Sequence, residues 1–312
     1  MTETILSDLE ILACPRCRGP LRQDGDRLDC PADDLVFPLV SGCYDLIDPS
    51  RRESLAPFLD HYAAVRRGEG WGTADPAYYL ALPFRDVTGR FPHLWRIRAR
   101  SFSCLSKLFD PPPGGAGQKP RVLDLGAGNG WLSNRLTAMG FESWAVDISA
   151  DPLDGLGALT RYECTIPGVL AEFDHLPFQA GTFDLAIFNA SLHYAADPGQ
   201  AIRSVLRVLE GSGRIFMVDS PIYASHESGV EMVREMRARL TRDLCLKEWV
   251  QPGPGFVTFD QLEEWTTAAG LDLCLHRPRY GLRWELRPLL ARLKGRREPA
   301  TFRIAEMIRR GS

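Results

Sequence analysis

Two groups of residues in this 312-residue chain have types and spacings that can do chemistry. In the first, Val122-Leu123-Asp124-Leu125 reads as a buried strand and runs straight into Gly126-Ala127-Gly128-Asn129-Gly130. Glycines at the end of a strand let bare backbone approach a ligand where a Cβ would collide with it. Dinucleotide sites space their glycines G-x-G-x-x-G, which would need a glycine where this chain has Trp131. The G-x-G-x-G spacing therefore favours a nucleoside ligand without a pyrophosphate. The next strand, Trp144-Ala145-Val146, ends in Asp147. That is roughly 20 residues past the glycines, where nucleotide folds place the carboxylate that accepts both ribose hydroxyls.

The second group is N-terminal. Cys14-Pro15-Arg16-Cys17 is a knuckle whose two thiolates can grip one tetrahedral zinc ion, and Cys30 offers a third ligand. A fourth partner is needed. With no open coordination position expected, such a zinc ion would be structural. Cys43 belongs to the same segment, whereas Cys104, Cys164, Cys245 and Cys274 are scattered and read as buried thiols.

These residues need a scaffold. Strands at 122–125, 142–146, 183–188 and 213–218 alternate with helices at about 131–139 and 198–209, the latter closed by Gly211. Near-continuous apolar strands in such alternation predict an α/β fold, a doubly wound and mostly parallel sheet covered on both faces. Pro111-Pro112-Pro113-Gly114-Gly115-Ala116-Gly117 separates a helix over 95–109 from the first of these strands and marks a domain start. Downstream, a charged helix is expected over 231–246, then a Pro252-Gly253-Pro254-Gly255 loop. Thr258 and Gln261 are spaced as a capping box for a helix over 262–269, which Gly270 closes before a strand over 271–275. Leu286, Leu289, Leu290 and Leu293 among many arginines predict a basic amphipathic helix in 277–312.

Charge and composition set outer limits. A net charge of -3 and a pI near 6.1 give no global attraction to polyanions. No basic region precedes an apolar run at the N-terminus, and no 18 uncharged apolar residues are consecutive, so a soluble cytoplasmic protein is expected.

Over about residues 118–275 the chain resembles the class I S-adenosylmethionine (SAM)-dependent methyltransferases. Four segments carry the likeness: residues 122–130, Ala145-Val146-Asp147-Ile148-Ser149, Ala171-Glu172-Phe173-Asp174-His175-Leu176-Pro177-Phe178, and Phe183-Asp184-Leu185-Ala186-Ile187-Phe188. The resemblance implies SAM as cofactor, held by Asp124, Gly126, Ala127, Gly128, Gly130, Asp147, Ile148, Glu172, Phe173 and Asn189. Glu172 stands where the family usually has an aspartate bonding the adenine amine, and Phe173 would lie against the adenine face. The stretch Asn189-Ala190-Ser191-Leu192-His193-Tyr194 would face the methyl acceptor. Its His193 and Tyr194 are the catalytic candidates, His193 as a base because an imidazole titrates near neutrality. The stretch has neither the Asn-Pro-Pro-aromatic tetrad of amino-methylating enzymes nor a Pro-Cys nucleophile.

Residues 11–48 resemble the zinc ribbon of Trm112-like proteins and of rRNA guanine methyltransferases, with Phe37-Pro38-Leu39-Val40-Ser41-Gly42 matching its closing strand. In that pattern a cysteine follows Cys30 by three residues, where this chain has Asp33. Asp33 can ligate zinc through oxygen, with Asp34 and Cys43 as alternatives.

Four regions follow: a ribbon over 1–50, a helical linker over 51–117, the SAM-binding domain over 118–276 and a basic helical extension over 277–312. Within the linker, Gly68-Glu69-Gly70-Trp71-Gly72 and Asp75-Pro76-Ala77-Tyr78-Tyr79 can form a lid over the cofactor or anchor a loop on the core. The expected activity is methyl transfer to a small metabolite. The alternatives are an rRNA or tRNA methyltransferase and a non-catalytic SAM-binding module, with the ribbon free to bind a protein partner.

Overall fold

The computed structural model of the protein describes residues 9–109, 119–245 and 250–311. The proline-glycine boundary at 111–117, the first eight residues and the end of the 231–246 helix lie outside the described residues.

A ribbon of short antiparallel strands comes first: β1 (Arg22–Asp24), β2 (Arg27–Cys30), β3 (Leu35–Val40) and β4 (Cys43–Asp45). Three helices follow: α1 (Pro49–Glu69), α2 (Pro76–Ala81) and α3 (Pro92–Leu105). Each begins with proline, whose missing N–H costs nothing in a first turn. The carboxylates of Asp48 and Asp75 cap α1 and α2 by accepting from the amides of Ser50 and Ala77.

The core then alternates as its apolar pattern requires: β5 (Arg121–Leu125), α4 (Trp131–Ala138), β6 (Glu142–Asp147), β7 (Gly168–Leu170), β8 (Phe183–Asn189), α5 (Pro198–Val208) and β9 (Leu209–Val218). The chain continues through β10 (Ile222–Tyr223), α6 (His226–Leu244), β11 (Val257–Thr258), α7 (Phe259–Ala268), β12 (Leu271–His276), α8 (Leu282–Glu285), α9 (Arg287–Leu293) and β13 (Ile304–Arg309). The Thr258–Gln261 capping box at the start of α7 forms as expected. Helix α5, however, stops at Val208 and passes directly into β9, so Gly211 lies within a strand rather than closing the helix.

Eleven of the strands make one sheet in the order β1-β2-β3-β4-β7-β6-β5-β8-β9-β13-β12, and β10 and β11 pair in parallel as a separate two-stranded sheet. From β4 to β9 every pairing is parallel, and the outer pairings are antiparallel. Successive residues of a strand point to opposite faces, and here both faces are covered. Leu123, Leu125, Ala186 and Phe188 join the layer of α5 and α7, while Val122, Leu185 and Ile187 join that of α3 and α4. Burying each large side chain of this kind contributes about 1.5–3 kcal/mol. A charge at Leu123 would break the first layer.

Three expectations need correction or completion. The C-terminal extension is not one amphipathic helix: two short helices give way to β13, which slots antiparallel between β9 and β12. Ile304, Ala305 and Met307 are fully buried there, because apolar side chains at that spacing complete a sheet that would otherwise end at β9. The glycine-aromatic stretch at 68–79 is not a lid. Trp71 is stacked on Phe91 at 3.9 Å, Tyr78 and Tyr79 are buried, and the Tyr79 hydroxyl reaches the carbonyl oxygens of Thr73 and Leu153. The ribbon is joined to the core through Tyr44–Val169 and Asp45–Leu170 in the parallel β4–β7 pairing. Among the described residues no helix is long and apolar enough to cross a membrane.

Candidate active site and metal centre

A cleft of 290 Å³ opens at the carboxyl ends of β5, β6 and β8, where ligands bind in open α/β sheets. Its floor is the turn after β5. Gly126 has φ +72°, and a Cβ there would stand 2.3 Å from Cβ of Ser191 and 3.3 Å from Cζ of Phe173. Only glycine fits. The Gly128 amide donates to Oδ2 of Asp147 at 2.8 Å and the Ser149 amide to Oδ1 at 2.9 Å, which aims the carboxylate while leaving lone pairs for a ligand. Burial pushes the Asp147 carboxyl up and these amides pull it back.

Gly126, Gly128, Asp147, Ile148, Glu172, Phe173 and Tyr194 all line the cleft. The other sequence candidates do not. Asp124 is fully buried behind the turn, and its Oδ2 accepts from the amide and hydroxyl of Ser133 at 3.1 and 2.7 Å, tying β5 to α4. Burial pushes its carboxyl up to about 7. Ala127 bonds to the Val146 carbonyl, and a Cβ on Gly130 would meet Leu159 at 2.3 Å, so both serve packing. Asn189 is buried with Oδ1 unpartnered among the described residues.

His193 also departs from expectation. It is buried, its Nδ1 lies 3.1 Å from the Ser220 hydroxyl, and burial pushes its pKa down to about 3. The ring is turned to Ser220 and is not part of the cleft lining, and an imidazole whose pKa burial lowers this far is a weak proton acceptor. Tyr194 faces the cleft beside Phe58 and Tyr62, at 6.0 Å from each ring, and burial pushes its hydroxyl up.

Helix α1 supplies what sequence reasoning missed. Arg51, Ser54, Leu55, Phe58, Leu59 and Tyr62 form one cleft wall. Arg51 pairs with Glu172, and Arg66, near the other end of the helix, pairs with Asp154. Nothing in local spacing announces contacts 121 and 88 residues apart. Ala190, within the stretch expected to face the acceptor, does line the cleft and sits in the left-handed region at φ +54°; such strain at the end of a strand recurs at ligand sites.

The cleft fits a sulfonium nucleoside. Phe173 offers a ring for adenine, Asp147 a carboxylate for ribose, and the Gly126–Gly128 backbone a close approach. The Asp147 carboxylate suits a cationic ligand, whereas that of Asp154 is already paired with Arg66.

At the ribbon tip, Cys14, Cys17, Cys30 and Asp33 converge, their ligand atoms all within 4.8 Å of one another. Cys17 and Cys30 place their sulfurs 3.5 Å apart, and Cys14 Sγ stands 3.1 Å from Asp33 Oδ2. Tetrahedral Zn–S bonds of about 2.3 Å require sulfurs about 3.8 Å apart, so the cluster fits zinc with small adjustment. Burial pushes the Cys14 thiol up to about 12, so a metal would displace a proton there. The alternatives stay outside the cluster: Asp34 takes a left-handed turn at φ +53°, and Cys43 is buried against Gly168.

Comparison with known proteins agrees with this layout. Residues 123–217 match the family described as a methyltransferase domain, and residues 9–42 match the Trm112p-like protein family. A malonyl-[acyl-carrier protein] O-methyltransferase of Erwinia billingiae is 32% identical over 35% of this chain and 43% of its own length. A ubiquinone/menaquinone biosynthesis C-methyltransferase of Edwardsiella ictaluri is 29% identical over 47% and 61%. The chain thus spans about half the length of the curated relatives it matches. One chain of a solved complex containing the Haloferax volcanii Trm112 methyltransferase activator shares the fold. It has a TM-score of 0.50 and 15% identity, covering 80% of this chain and 96% of that one.

Proposed function

We propose that this chain, which carries a methyltransferase domain preceded by a Trm112p-like segment, is a SAM-dependent methyltransferase acting on a small molecule. The observation that carries the reading is the convergence of Gly126, Gly128, Asp147 and Phe173 on one cleft at the ends of parallel strands. SAM, when bound, supplies an electrophilic methyl group for in-line displacement by an acceptor.

The chain's own contribution is binding and orientation. Asp147 holds the ribose, Phe173 the base, and Glu172 borders the same side under the grip of Arg51. The wall of Phe58, Leu59, Tyr62 and Tyr194 shields the acceptor from water. His193 is withdrawn, and Tyr194, whose hydroxyl keeps its proton, orients the acceptor rather than deprotonating it.

A small acceptor is favoured over RNA by the cleft itself. Asp147, Asp154, Glu172, Asp174 and Asp197 line it against one cation, Arg51, which Glu172 and Asp174 already hold, whereas phosphate backbones seek clustered cations. A zinc ion on Cys14, Cys17, Cys30 and Asp33 would hold the ribbon together without touching the cleft.

Calorimetric titration with SAM and with S-adenosylhomocysteine, using NAD as control, tests the cofactor. Saturable binding of both sulfur nucleosides and none of NAD is expected. Absence of binding by either nucleoside would overturn the reading, and a screen of small acceptors for S-adenosylhomocysteine release then tests the transfer.

A further inference from the structure

The segment that follows β12 has its apolar side turned outward. In α8, α9 and the residue that joins them, Leu282 is 84% exposed, Leu293 74%, Leu289 55%, Leu286 50% and Leu290 45%. Together they form an apolar patch on the order of several hundred Å², the size at which exposed apolar surface marks an interaction site.

The inward side is polar and aromatic instead. Trp284 packs on Tyr280 and Phe302 at ring distances of 4.9 and 5.6 Å. Arg287 lays its guanidinium 3.1 Å over the Trp284 ring and donates from Nη2 to the Ala300 carbonyl at 2.7 Å. An arginine turned towards the protein while five leucines meet solvent is the reverse of what a water-facing helix requires. The segment is firmly seated, so the exposure is not that of a loose end.

Charge tells what the patch meets. Residues 277–297 hold eight arginines and lysines against one acid, Glu285, in a chain whose net charge is -3. Arg279, Arg283, Arg292, Lys294 and Arg296 are exposed around the leucines. Leucines that can sink below a headgroup layer, ringed by long cationic side chains that can reach back to it, match an anionic lipid surface. RNA would gain nothing from the leucines, which cannot stack on bases as aromatic side chains do.

We propose that α8 and α9 dock the protein on anionic membranes through Leu282, Leu286, Leu289, Leu290 and Leu293. The docking is peripheral, with the leucines entering the interface and the surrounding cations neutralising headgroups.

The experiment is vesicle flotation of the full chain, comparing phosphatidylcholine vesicles with vesicles of mixed phosphatidylcholine and phosphatidylglycerol. Binding to the mixed vesicles alone, weakened by salt, is expected. The double variant Leu289→Glu, Leu293→Glu should lose at least about tenfold in vesicle affinity while its SAM affinity and melting curve stay as in the parent. The variant Arg292→Glu, Lys294→Glu should also weaken binding, and only to the anionic vesicles. Several outcomes would overturn the proposal: equal binding to both vesicle types, binding unaffected by the leucine substitutions, or no vesicle binding at all. The last would include a chain that forms a dimer abolished by the same substitutions, or one that binds RNA instead.

Discussion

Arg51, in the first turn of α1, donates from Nε and Nη2 to the two oxygens of Glu172 at 2.5 and 2.9 Å, and from Nη2 to Asp174 at 3.2 Å. The pair fastens a helix from the linker to the rim of the cofactor cleft, and the Arg66–Asp154 pair does the same near the far end. Arg51→Ala leaves a nearly buried Glu172 without its cation. Because Arg51 itself is partly exposed, the loss of stability should be modest, about 1–2 kcal/mol. Hydrogen exchange across residues 49–69 is the direct measurement: protection should fall over the first turns of α1, and unchanged protection would deny the helix this anchor.

Asp147 is the group on which cofactor affinity should depend most. Removing its carboxylate in Asp147→Ala takes away the ribose partner and frees the Gly128 amide, weakening SAM binding by about 1–3 kcal/mol, or roughly 5- to 150-fold in Kd. Calorimetry on a variant whose far-ultraviolet spectrum is unchanged makes the comparison. An unaltered Kd would remove Asp147 from the site.

His193 should shape stability rather than catalysis. Its folded pKa of about 3 lies below the ordinary value of 6.5, so the unfolded chain takes up a proton that the folded chain refuses. The unfolded state binds more protons between these two values, so this contribution makes stability rise with pH across that window and level off above it. Denaturant melts of the parent and of His193→Gln should therefore converge as pH falls from 7 towards 4, with the acid loss shallower in the variant. Parallel pH curves would mean that the imidazole titrates normally.

The ribbon tip should carry one zinc ion per chain. Cys14→Ser should release it, and Asp33→Cys should retain it more tightly, because a fourth thiolate replaces a harder oxygen ligand. Elemental mass spectrometry of protein purified without chelator reads both; zinc absent from the parent under reducing conditions would exclude the site.

Much of the core was legible because its signals are local. Val122 to Gly130 announces a strand, a turn and a helix within nine residues, and Asp147 ends the very next strand. Cys14, Cys17 and Cys30 predicted a cluster that does assemble, with Asp33 as its fourth member. Roles that depend on direction were not legible. Asp124 and Gly130 sit in the right motif but face the interior, and His193 precedes the cleft-facing Tyr194 while turning to Ser220. Helix α1 was missed as a cleft wall because Arg51 and Glu172 are neighbours only after the chain has folded. β13 was hidden by the leucine spacing before it: an apolar run at helical period drew the reading of helix past its end, although Ile304 to Met307 is short and strand-like.

The parallel pairing of β4 with β7 carries a cost if the ribbon ever lets go. β7 has only three residues, and its outer rim of amides and carbonyls is covered by β4 of the ribbon. A chain stripped of zinc, or trimmed before α1, would bare that rim as a ready template for another strand. In this sense the ribbon guards an open strand edge, and if zinc holds the ribbon, metal starvation should show first as aggregation.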